Sequence, residues 1–224
     1  MNLSNILHFE FSLLFTVYLL TVFFISKLHS KSFKHSKIYF TIQYFAVVIH
    51  ELAHFIWALI CLHWPKFNPI KIVEKNWKYQ ISGSVSVKTY SYKNLFYNIL
   101  QKEKIVNLIL LIWQIIWAFV IWLAPVILVL LISYWLFWGL NIWEINLATF
   151  DLKYLFLIPV YFFLAQVSNL SWADIKNALP GIFLLIFIPL NKEQINFLIS
   201  NIELMWGVLF LSWVIYLVKK ILWK

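Results

Sequence analysis

Residues 38–62 read IYFTIQYFAVVIHELAHFIWALICL, between Lys37 and Lys66. The run is long and apolar enough for a membrane-spanning helix, which needs about 20 such residues. It nevertheless carries His50, Glu51 and His54, and its other ionisable side chains are Tyr39, Tyr44 and Cys61. Two imidazoles and a carboxylate at membrane depth cost on the order of a few kcal/mol or more unless paired or metal-bound, so such residues are functional by default. At i and i+4 the imidazoles of His50 and His54 stand one above the other on one helix face, suited to two neighbouring positions on a metal ion. Glu51 lies one residue on, where it reaches a metal-bound water without being a ligand. In an H-E-x-x-H site a zinc ion lowers the pKa of that water towards about 7 and polarises a carbonyl, and the glutamate takes the proton. The expected roles are His50 and His54 as ligands of Zn2+ and Glu51 as general base.

The same stripe reads Ala46, His50, His54, Ala58, so small residues bracket the imidazoles and let another helix approach closely. Other soft ligands fail on geometry. Cys61 shares the face but lies seven residues from His54, about 10 Å along the axis, and is expected as a small buried hydrophobe. His63 falls on the opposite face at the membrane boundary. His29 and His35 sit among lysines and His8 near the terminus, where solvated roles are expected.

The whole chain has the composition of a membrane protein. Of 224 residues, 63% are hydrophobic and 12% charged, about half the charged share of a soluble domain. One cysteine excludes an internal disulfide framework and a multi-cysteine zinc module. All 18 basic residues are lysines. They flank apolar runs, and no arginine is present to fork onto phosphates or guanines, so no nucleic-acid partner is expected. The lysine-only composition suggests an AT-rich microbial genome, and the expected location is a bacterial cytoplasmic membrane, multi-pass. Four lysines in 27–37 and eight in 63–104 would face opposite sides of a membrane crossed by 38–62, so the positive-inside rule leaves sidedness open.

The expected fold is an all-α polytopic membrane protein with five or six transmembrane helices and a small β-hairpin between the second and third spans. Residues 9–26 read as a retained first span, because no lysine precedes residue 27 and no small-residue cleavage site follows. Residues 105–143 are apolar for 39 positions, roughly 58 Å as one helix, so a bend or break is expected near Pro125 and an end near Gly139. Further apolar runs occupy 152–168, 179–190 and 204–218. Between the second and third spans, Ile81, Gly83, Val85, Val87 and Thr89 alternate with Gln80, Ser82, Ser84, Ser86 and Lys88. That period of two marks a strand with one apolar face, and Ile70 and Ile72 around Lys71 suggest a hairpin partner. The chain divides into a first helix and basic loop (1–37), a membrane core (38–190) containing the basic hairpin region (63–104), and a C-terminal helix (191–224).

A tetrahedral site with an open position needs a third protein ligand. Asp151 opens a span and reads as an interfacial residue or cap. Asp174, in SNLSWADIKNALPG, follows one apolar span and precedes Pro180-Gly181 and another, so it lies where a helix within the membrane is broken. Ser171-x-x-Asp174 is also a capping box, and the ligand and cap roles can coexist. Glu144 and Glu203 are the alternative third ligands.

With these residues in place, the chain resembles the site-2-protease-like intramembrane metalloproteases. Their H-E-x-G/A-H motif in a transmembrane helix is matched by His50, Glu51, Ala53 and His54. Their membrane-associated hairpin corresponds to residues 70–90, and their third ligand, an aspartate on a later distorted helix, to Asp174, although Ile175 rather than glycine follows it. The resemblance spans about 38–190. It implies a zinc-dependent intramembrane endopeptidase that hydrolyses a peptide bond in or near a transmembrane segment of a membrane protein or peptide substrate held in the lipid bilayer. Residues 80–88 then become a substrate-binding edge strand, with Ser82, Gly83, Ser84 and Val85 against the scissile segment. Two other readings stay open: a prenyl-protein-type membrane zincin with a glutamate third ligand, and a non-catalytic membrane scaffold or immunity-type protein.

Overall fold

The H-E-x-x-H run begins and ends on local chemistry. In a computed structural model, which describes residues 3–33, 36–75, 78–87, 104–140, 152–178, 181 and 191–222, helix α2 spans Lys37–Ile60. Its N-cap is Ser36, whose hydroxyl accepts the Tyr39 N–H at 3.3 Å. At the other end the His63 N–H reaches the Ala58 carbonyl and the Leu62 N–H the Leu59 carbonyl. That pair of bonds is a Schellman motif, with Leu62 taking the left-handed position at φ 58°. The turn redirects the chain into strand β1 (Lys66–Lys75), which pairs antiparallel with β2 (Lys78–Ser86). The register steps between Asn68 and Lys71, so Pro69, which has no N–H for the ladder, falls in a bulge. Val85 and Ile81 are buried while Ser82, Ser84 and Ser86 are exposed, as the alternation requires. The upstream strand begins earlier than Ile70, and β2 ends at Ser86.

Helix α1 spans Leu3–Ser32. It runs past the expected end at residue 26 and takes in much of the segment expected as a basic loop, because Lys27 and Lys31 are exposed on the helix surface. The long apolar run is broken where it was expected to be. Helix α3 (Lys104–Trp122) stops before Leu123, and α4 (Ala124–Leu140) starts with Pro125 in its first turn, where a missing N–H costs little. Helix α5 (Leu152–Val167) is followed by the short α6 (Trp172–Ala178), and α7 spans Lys192–Leu222. The apolar run 179–190, except Gly181, lies outside the described residues, as do Glu144 and Asp151.

Among the described residues four helical stretches are long and apolar enough to cross a membrane: Leu13–Ser32, Lys37–Ile60, Ile105–Trp122 and Lys192–Leu222. Ala124–Gly139 and Leu157–Val167 are shorter apolar helices. Large apolar side chains such as Trp135, Trp138 and Phe210 point outward, as expected where the surroundings are hydrocarbon. The α2 helix packs against β2, α3, α4 and α5, while α6 packs on α3 and α7 on both α1 and α5. The chain at Gly181 passes so close to α3 that a Cβ there would stand 2.4 Å from the Phe119 Cβ.

Candidate metal centre

His50 and His54 lie on the buried face of α2 with Ala46, Ala53 and Ala58. Each imidazole is anchored by its Nδ1. His50 Nδ1 donates to the Val167 carbonyl at 2.8 Å, and His54 Nδ1 donates to the Ile121 carbonyl at 2.7 Å. A carbonyl only accepts, so both Nδ1 atoms carry the proton, and in the neutral form of each ring the Nε2 is then bare. The two Nε2 atoms are 3.1 Å apart. Two lone pairs facing each other at that distance repel unless a cation lies between them. Val167 is the last residue of α5 and Ile121 belongs to the last turn of α3, so both carbonyls come from helix ends, where the final carbonyls lack intrahelical partners.

Asp174 completes the group. Its Oδ2 is 3.4 Å from His50 Nε2 and its Oδ1 is 3.4 Å from His54 Nε2. One potential ligand atom from each of His50, His54 and Asp174 lies within 4.8 Å of the others, and all three residues are buried. The capping box is present as well: the Ser171 N–H donates to Asp174 Oδ2 at 2.7 Å, and the Asp174 N–H donates to the Ser171 hydroxyl at 3.2 Å. The cap uses Oδ2 and leaves Oδ1 available to a metal ion. Glu203 is exposed on α7 and is not part of the cluster.

Glu51 is 8% exposed and within electrostatic reach of His50, His54 and Asp174. Among the described residues neither Glu51 nor Asp174 pairs with a lysine. Two buried carboxylates and two imidazole lone pairs make a donor set for a cation, and burying that charge unpaired would be costly. The His50–His54–Asp174 group can thus hold a metal ion, with second-shell carbonyls of the kind that orient ligating histidines.

Strand β2 lies directly over Glu51. A Cβ on Gly83 would stand 2.6 Å from Glu51 Cγ and 3.3 Å from Oε1, and the Val85 backbone N–H faces the same carboxylate. Gly83 and Val85 are therefore at the site. The Ser82 and Ser84 side chains are exposed, and Ser84 Oγ accepts from Asn68 Nδ2 at 3.0 Å. The Trp122 ring flanks His54 with centroids 5.2 Å apart, and Cys61 is buried beside Ala58 and Ile121.

One expectation is overturned. His29, placed among solvated lysine-loop residues by sequence, is fully buried. Its Nε2 lies 2.6 Å from Ser212 Oγ and its Nδ1 2.6 Å from Gln166 Nε2, with Phe162 stacked on the ring at 3.9 Å. The reason is the continuation of α1 to Ser32, which turns His29 onto the face packed against α5 and α7. His35 and the His8 side chain lie outside the described residues. Sequence reading also missed Ile121 and Val167, whose contribution is backbone carbonyl and leaves no trace in residue type. Comparisons with protein-family models, with curated proteins and with solved structures return no match.

Proposed function

We propose that the chain is a zinc-dependent intramembrane endopeptidase, similar in its site to the site-2-protease-like metalloproteases, with five or six membrane crossings. The observation that carries the reading is the pair of imidazoles locked by Nδ1 onto backbone carbonyls, with both Nε2 atoms and Asp174 converging beside Glu51. Two histidines and a carboxylate are a donor set that suits zinc and leaves a coordination position for substrate or water. When bound, the ion supplies a Lewis-acidic centre that activates water and polarises the scissile carbonyl.

The protein's own residues do the rest. Glu51, covered by β2 and excluded from bulk water, takes a proton from the attacking water as its oxygen bonds to the peptide carbon. Glu51 then returns that proton to the amide nitrogen as the C–N bond breaks, so the carboxylate is regenerated. A helical substrate hides its carbonyls in i to i−4 bonds, and unwinding it in a bilayer exposes groups that cost several kcal/mol each. Among the described residues strand β2 has β1 as its one strand neighbour, and it passes over Glu51, which suits it to receive the unwound segment by β-augmentation. A prenyl-protein-type site would require a glutamate third ligand, whereas among the described residues the carboxylate grouped with both imidazoles is that of Asp174.

Zinc analysis and a cleavage assay on the purified full chain test the reading. Glu51→Gln should retain one zinc and lose about 10²–10⁴-fold in cleavage of a transmembrane test substrate, since an amide cannot take the proton. Wild-type cleavage by Glu51→Gln, or purified wild-type protein that takes up no zinc, overturns it.

A further inference from the structure

His54 has two possible proton arrangements, and they compete for different acceptors. With the proton on Nδ1 the ring donates to the Ile121 carbonyl at 2.7 Å and leaves Nε2 bare. With the proton on Nε2 it would donate toward His50 Nε2, 3.1 Å away, or Asp174 Oδ1, 3.4 Å away, and could no longer ligate through that atom. A carboxylate is the stronger acceptor, so the ligating arrangement persists only while the Ile121 carbonyl is accessible and correctly aimed. In an unbroken helix that carbonyl would accept from the N–H four residues on. Four residues on is Pro125, which has no N–H. The turn at Leu123 separates α3 from α4 at this point, and the Leu123 N–H and Ile127 N–H still find their own i−4 partners at 3.0 Å.

We propose that Pro125 is a positioning residue for the metal centre: its missing N–H reserves the Ile121 carbonyl for His54 Nδ1–H and so holds the His54 Nε2 bare toward His50 and Asp174. His50 is held by an independent device, the carbonyl at the C-terminal end of α5, and therefore serves as an internal control. The effect on tautomer stands by itself; the effect on affinity rests on the metal-centre reading.

The test uses full-length, metal-free protein with 15N-labelled histidine, at a pH where the spectra themselves show one proton per ring. Two-bond 1H–15N correlation spectra report which ring nitrogen carries the proton. In wild type both His50 and His54 should be Nδ1–H. In Pro125→Ala, which returns an N–H to the helix, His54 should move largely to Nε2–H while His50 stays Nδ1–H. Zinc affinity, measured by chelator competition, should fall about 10–100-fold, the usual cost of losing an outer-shell partner. Pro125→Gly restores the same N–H with less drive toward a continuous helix and should act in the same direction, more weakly. An Nε2–H His54 in wild type, which needs no variant to observe, overturns the proposal, as does an unchanged His54 tautomer in both variants. If instead His50→Ala and His54→Ala bind zinc as wild type does, the metal reading falls while the tautomer result still decides the role of Pro125.

Discussion

At the scale of single residues, the site depends on one position that carries no reactive group. Gly83 leaves room for Glu51, and a methyl added there would stand 2.6 Å from Glu51 Cγ, closer than such contacts allow. Gly83→Ala should therefore displace the base while leaving His50, His54 and Asp174 in place. Misplacement of a reacting group by about 1 Å can cost about 10²-fold, so the expected outcome is normal zinc content with cleavage reduced by about that factor. Steady-state assay of the proposed cleavage beside metal analysis checks it; unaltered turnover would mean that the proposed reaction does not depend on β2 holding this position over Glu51. Asp174 is the complementary case, one carboxylate with two duties. Ser171→Ala removes a single capping bond and should cost about 0.5–2 kcal/mol of stability with zinc retained. Asp174→Ala should release the zinc as completely as His54→Ala does. Equal zinc content in Ser171→Ala and Asp174→Ala would reduce Asp174 to a cap.

Elements bring these residues together by ending where they do. The α5 helix stops at Val167 and frees a carbonyl for His50, α3 stops at Trp122 and leaves one for His54, and α6 starts at a capping box whose acid is the third member of the cluster. The β-hairpin adds the cover over Glu51. The proposed substrate role of β2 rests on its backbone, so a proline is the direct probe. Val85→Pro removes the N–H that faces Glu51 and should cut cleavage sharply while zinc content and membrane insertion stay normal. Substrates with helix-breaking Gly, Pro or Asn near the cut should be preferred. If Val85→Pro cleaves at the wild-type rate, the hairpin is a surface feature and substrate is held elsewhere.

Across the whole molecule, α1 and α7 run side by side in the same direction. Thr21 accepts from the Trp206 indole at 3.0 Å, His29 meets Ser212, and the Ser32 carbonyl accepts from Lys219 Nζ at 2.7 Å, so residue numbers rise together along both helices. The His29–Ser212–Gln166 cluster joins this pair to α5, one residue before the carbonyl that orients His50. Replacing the imidazole by an apolar group leaves the Gln166 amide without this acceptor, at a cost of about 1–3 kcal/mol, while Ser212 keeps its bond to the Val208 carbonyl. His29→Leu should accordingly lower the thermal midpoint in detergent while leaving zinc stoichiometry at wild type. An unchanged midpoint would show that the cluster contributes nothing to holding α1, α5 and α7 together.

Much of this protein is legible in local sequence, for identifiable reasons. The i, i+4 spacing places His50 and His54 on one face of any helix, and apolar length marks the spans. A proline interrupts the 105–143 run whatever surrounds it, and period-2 alternation marks β2. Asp174 could be narrowed down because carboxylates are scarce at membrane depth, but its spacing equally fits a cap, and only tertiary packing shows a capping carboxylate that also lies beside both imidazoles. Three further features depend on chain segments distant in sequence. These are the burial of His29, the approach of Gly83 to Glu51, and the orientation of both imidazoles by carbonyls 67 and 117 residues away. A backbone carbonyl is the same at every residue, so sequence alone cannot say which one a histidine will meet. That is decided by where the helices stop and how they pack.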